Sequence, residues 1–163
     1  MTSTVEVIAR VEAEEQRLVF ASFTANDAFH LGTRMRELAV ARGHAITIDI
    51  AQGEQRLFHT ALPGTSAHNG KWIERKKRTV REWAASSYAV GLRFPILDSP
   101  YTLDSAPWMD PMQYSGSGGG FPIVVAGAGL VGTIAVSGLR HDLDHDFVVE
   151  VLTEFLDVDP GSH

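Results

Sequence analysis

The sequence contains no cysteine. That excludes a disulfide framework, a thiolate metal site and a cysteine nucleophile, so any chemistry falls to other groups. Long apolar runs are missing as well, since none approaches the roughly 20 residues that span a bilayer. Residues 1–16 are charged and amphipathic rather than a basic start followed by an apolar block, unlike a signal peptide. The expected location is therefore the cytoplasm, without membrane contact. Cations are in the minority too: 14 Lys and Arg stand against 20 Asp and Glu, a net charge of -6. Nucleic acid and anionic membranes select for a basic surface, so neither is an expected partner. Two catalytic signatures are absent. Ser137 sits in V-S-G-L rather than G-x-S-x-G, and the glycine run at 116–120 precedes a strand and lacks G-K-[ST].

What is present fits one soluble domain spanning residues 1–163, with 159–163 as a frayed tail: 163 residues, 44% hydrophobic and 21% charged. Apolar spacing predicts a first helix over 5–18, capped by Ser3 or Thr4, and a brief strand over 19–23. A second helix, capped by Asn26 or Asp27, carries Ala28, Leu31, Met35, Leu38 and Ala39 at close to helical period and stops at Gly43. Ile46, Ile48 and Ile50 alternate with Thr47 and Asp49, the period-2 signature of a strand with one buried face, and 44–61 reads as a hairpin. Pro63 and Gly64 break the pattern before a third helix over 67–85, and 86–93 continues as a short helix. Residues 94–117 carry four prolines and no period, the mark of a functional, partner-contacting or mobile loop. Strands over 121–126 and 130–138 flank Gly127-Ala128-Gly129 and contain no charge from 124 to 139, so they are expected to be covered. A last helix, capped by Asp142 or Asp144, bears the stripe Val148, Val151, Leu152 and Phe155.

The third helix holds the best candidate surface. It contains six of the chain's 14 basic residues, Lys71, Arg75, Lys76, Lys77, Arg78 and Arg81. Lys71, Arg75 and Arg78 fall at i, i+4 and i+7 and so line one stripe. Such a stripe either holds carboxylates or phosphates of a small anionic ligand, or pairs with solvent and with acidic surfaces of this or another subunit. Trp72 reads first as an aromatic anchor and second as a ring platform. Glycines 116–120 read mainly as a tight turn into the following strand.

Several motifs carry a family resemblance. They are A-H-N-G-K-W-I-E-R-K-K-R-T-V-R at 67–81, S-S-Y at 86–88, G-G-G-F-P-I at 118–123 and V-S-G-L-x-x-x-x-D-H at 136–145. The chain thereby resembles the haem-degrading HbpS-like family, also called GlcG-like, in the branch catalogued as an uncharacterised protein family. The resemblance implies an α/β (α+β) fold of profilin-like type, with a central antiparallel sheet of about five strands flanked by helices, and a homo-oligomer. It also makes haem the candidate ligand. Haem iron generally needs an axial donor, and His68 and His145 are the leading candidates, with His141 behind them. The binding set is then His68, Lys71, Trp72, Arg75, Arg78 and His145. His30, His44 and His59 read as ordinary, and no separate metal site is expected. The alternative is a non-enzymatic oligomeric scaffold that binds protein partners through the basic helix and the Pro-rich loop.

Overall fold

The computed structural model describes residues 1–93 and 110–157. Most of the Pro-rich loop expected over 94–117, and the tail 159–163, lie outside the described residues. The elements run α1 (Thr4–Arg17), α2 (Ala25–Arg42), β1 (Thr47–Gln52), β2 (Gln55–Ala61), α3 (Ala67–Trp83), α4 (Ser87–Arg93), β3 (Gly120–Val125), β4 (Gly129–Ser137) and α5 (His141–Phe155). The sheet order is β2-β1-β4-β3, and every neighbouring pair is antiparallel.

Among the described residues four strands, not about five, form this sheet. The segment expected as a strand over 19–23 contributes one parallel bridge, Phe20 to Val125. The Phe20 N–H donates to the Val124 carbonyl at 2.8 Å, and Phe20's carbonyl accepts from the Ala126 N–H at 2.9 Å. The ladder stops there because Thr24, a few residues on, already caps α2. Its side chain accepts from the Asp27 N–H while the Asp27 carboxylate accepts from the Thr24 N–H, a reciprocal capping box. Asp27 is therefore the box partner rather than the cap. Gly43, at φ 68°, ends α2 in the left-handed region where a side chain would be strained.

At the start of α5 the aspartates also differ from expectation. The cap position is Arg140 and has no side-chain cap bond. Asp142 and Asp144 instead lie in the first turn, where a carboxylate meets the positive end of the helix dipole. Asp144 reaches back to accept from the Leu139 N–H at 2.9 Å.

Helices cover both sheet faces. Ile48, Ile50, Phe121, Ile123, Ile134 and Val136 are buried in one core with Leu31 and Met35 of α2 and Val148, Val151 and Leu152 of α5. The alternate positions Thr47 and Asp49, expected to face water, are buried as well, as are Thr133 and Ser137 on the strand expected to be covered. They lie under α3, which packs on β1, β3 and β4. Small and polar residues on this face let the helix come close. The glycine run serves the same packing: Gly119, at φ 124°, leaves no room for a side chain against the Val136 carbonyl.

Candidate functional site

At about 3.6 residues per turn, Ile73 and Val80 form the centre of the buried stripe of α3, and Lys76 and Lys77 fall on either side of it. Both lysines are buried. The Lys76 ammonium donates to the Val136 carbonyl at 2.8 Å and to Asp144 Oδ2 at 3.2 Å. Burial pushes the Asp144 carboxyl above its usual range, despite the opposing pull of Lys76. Burial likewise holds the Lys76 amine below its usual range.

On the other side, Lys77 Nζ lies 2.9 Å from Asp49 Oδ1 and 3.3 Å from Glu74. Asp49 Oδ2 also accepts from Arg56 Nε at 2.7 Å and meets His59 Nδ1 at 2.9 Å. Burial alone would raise the Asp49 carboxyl, but Lys77, His59 and Arg56 together outweigh it and hold it below the carboxylate range. One buried carboxylate thus anchors three groups, two of which open toward solvent.

The outward face of α3 carries the stripe that the sequence singled out. Among the described residues, Lys71, Arg75 and Arg78 have no carboxylate partner. Together with Arg56, His59 and Glu74 they line a hollow of about 480 Å³, with Met112 at its side. The guanidinium of Arg75 lies 4.3 Å from the Trp72 ring centroid, a cation–π contact that sets its position. Trp72 Nε1–H in turn donates to His68 Nε2 at 3.1 Å. That bond makes His68 Nε2 an acceptor already in use.

The six expected site residues therefore divide. Lys71, Arg75 and Arg78 line the basic hollow, and Trp72 touches it through its contact with Arg75. His68 and Trp72 line a second, smaller hollow of about 300 Å³ with Lys76, Ser137, His141 and Asp144. There His141 Nδ1 accepts from the Gly118 N–H at 3.2 Å. His145 reaches neither hollow. It is fully buried, its Nε2 lies 3.1 Å from Glu14 Oε1, and Tyr88 and Phe121 sit 5.0 and 5.9 Å from its ring. One step along α5 from Asp144 turns it toward α1 and α4 instead of α3, so it serves there as a buried tie between helices.

Sequence reasoning passed over Asp49 and His59. The two are directly opposite partners in the β1–β2 ladder. Counting outward from the Gln52–Gln55 pair places Phe58, not His59, across from Asp49. An irregularity between Ile50 and Ala51 moves the register by one residue and brings His59 into line. The available signal was a strand aspartate and a returning histidine, which become a pair only through that bulge.

Comparison with known proteins fits this architecture. A family model described as "Haem degrading protein HbpS-like" matches residues 23–153. The chain belongs to this HbpS-like family. A UPF0303 protein of Streptomyces avermitilis is 45% identical to this HbpS-like chain over 149 residues, covering 91% of the chain and 90% of the relative. Among solved structures, Ybr137w superposes with a TM-score of 0.83 at 27% identity, covering 92% of this chain and 89% of that one. PduOC, solved as a complex with heme, superposes with a TM-score of 0.67 at 17% identity, covering 88% of this chain and all (100%) of that one. At that identity the last likeness is one of fold.

Proposed function

We propose that this HbpS-like protein binds a small polyanionic ligand in the basic hollow on α3, with haem as the candidate. One observation carries the reading: Lys71, Arg75 and Arg78 converge there without carboxylate partners among the described residues, in a chain of net charge -6. With acidic groups in excess, cations left unpaired around a concavity favour an anion from outside the chain. Arg75 and Arg78 supply forked donors for planar carboxylates, and Lys71 adds a mobile charge. Met112 provides apolar contact for a macrocycle edge, and Trp72 positions Arg75 from behind. The family's haem-related description and the haem complex of a fold relative support haem over other anions. When bound, haem would supply an iron centre with redox and ligand-binding chemistry. The chain's part is to grip the carboxylates and hold the ring against α3.

Haem titration tests the reading. Micromolar protein is expected to shift the Soret band, and replacing Arg75 and Arg78 together by alanine should weaken binding. Absence of any shift with the wild-type protein would sink it.

A second reading rests on the same unpaired cations. They are also complementary to an acidic surface, so an oligomeric scaffold that docks protein partners through α3 and the Pro-rich loop remains the alternative. A homo-oligomer in the cytoplasm, with a sheet and helices of profilin-like type, belongs to either reading. No helix among the described residues is long and apolar enough to cross a membrane. Light scattering decides between the two: a mass that falls with salt but ignores haem favours the scaffold.

A further inference from the structure

We infer that His59, held from behind by the buried Asp49, is the group that meets the metal of the ligand in the basic hollow. The inference rests on the anion-binding reading above and adds to it a residue that the sequence did not mark.

An ionised carboxylate only accepts hydrogen bonds. The 2.9 Å contact between His59 Nδ1 and Asp49 Oδ2 therefore places a proton on Nδ1. The lone pair of the neutral ring is left on Nε2, which has no polar partner among the described residues. The side chain is 33% exposed and lines the hollow with Arg75 and Arg78. Behind it Asp49 is fully buried, with Lys77 and Arg56 holding its carboxylate. A carboxylate behind an imidazole fixes tautomer and ring orientation, as it does for metal-ligating histidines in general. Both residues sit on paired strands, so the nitrogen is presented from a rigid element.

The surroundings decide what kind of metal suits this nitrogen. A bare divalent cation would be repelled by Arg56, Lys71, Arg75 and Arg78. Among the described residues there is also no group of three His, Asp or Glu side chains placed to hold an ion. A metal that arrives inside a carboxylate-bearing macrocycle meets no such obstacle, because its peripheral charges are the ones that the cations attract. Other imidazoles near α3 are engaged. His68 Nε2 already accepts from Trp72, His141 Nδ1 accepts from Gly118 and faces the smaller hollow, and His145 is buried.

Ferric haem and metal-free protoporphyrin IX, titrated in parallel, test the assignment. Wild-type protein should bind both, and the iron complex should show an imidazole-ligated spectrum in electron paramagnetic resonance and resonance Raman. His59→Ala should lower haem affinity about tenfold or more and lose that spectrum, with recovery on adding free imidazole. Its affinity for protoporphyrin should not change. His59→Asn, which keeps an amide N–H for Asp49, is the companion variant should His59→Ala fail to fold, and it should lose the same spectrum. If the variants retain the wild-type iron spectrum, His59 is not the ligand, although the hollow still binds porphyrin. If neither porphyrin binds wild-type protein, the hollow is not a porphyrin site and both conclusions fall.

Discussion

Arg75, Lys76, Lys77 and Arg78 are consecutive cations on α3, yet two of them meet water and two are sealed inside. Arg75 and Arg78 have no carboxylate partner among the described residues, whereas Lys76 and Lys77 are each buried against an aspartate. Helical rotation produces the difference: at about 100° per residue, Arg75 and Arg78, three positions apart, share the outward side, while Lys76 and Lys77 between them flank the buried stripe. The two buried pairs also differ from each other. Asp49 is surrounded by Lys77, Arg56 and His59 and is held below the usual carboxylate range, while Asp144 has Lys76 as its one cation and is pushed above it by burial. The number of cations around a buried carboxylate, rather than burial alone, sets the direction of its shift.

Breaking an inward pair is expected to have the largest effect. Lys76→Met leaves Asp144 buried without its partner and should cost about 3–5 kcal/mol in a urea melt. The double variant Lys76→Met with Asp144→Leu should recover most of that loss, because nothing charged then remains buried. If the single variant costs less than about 1 kcal/mol, the inward pair is not the structural tie described above.

On the outward face the effect should move from stability to binding. Replacing Arg75 and Arg78 by alanine is expected to weaken haem binding about tenfold, or about 1.4 kcal/mol, and to leave the melt within about 0.5 kcal/mol of wild type. Raising the salt should reproduce the binding loss without the mutations.

Acid titration sharpens the contrast between the two aspartates. A lowered carboxyl such as Asp49 contributes stability above its unfolded value, near about 3.9, and loses it as pH falls through the folded value. Asp49→Asn should therefore flatten the acid limb of the stability curve below about pH 4. The raised carboxyl of Asp144 acts in the opposite sense: its contribution is lost as pH rises from the unfolded value through the folded one. Asp144→Asn should accordingly steepen the net acid limb, as followed by melts at stepped pH. The smallest change belongs to Lys71→Gln, whose side chain is exposed at the hollow's rim. It should leave stability within about 0.5 kcal/mol of wild type and lower haem affinity less than the arginine pair does.

Much of the fold was legible in one sequence. Gly43 as a helix stop, the hairpin closing at Gly53, and the charge-free strands at 120–137 all follow from local chemistry or period. The first segment misled because 19–23 has strand-like composition, but a chain about to enter the Thr24 capping box has room for one bridge only. Asp142 and Asp144 misled because a carboxylate in the first turn of a helix resembles a cap in sequence. At the candidate site, Lys71, Arg75 and Arg78 were legible through i, i+4, i+7 spacing. Asp49 and His59 were not, since pairing them takes a register irregularity.

By itself the sequence determined the helices, the hairpin, the family and the basic stripe, because each depends on periodicity or on neighbours along the chain. Tertiary structure alone decided that β1 is buried on both faces, that Lys76 and Lys77 turn inward, and that His145 lies out of reach of either hollow. It also decided that Asp49 stands behind His59. Those outcomes depend on how α3 rotates over the sheet and on which carboxylates the sheet places beneath it, and neither is written in any local stretch of residues.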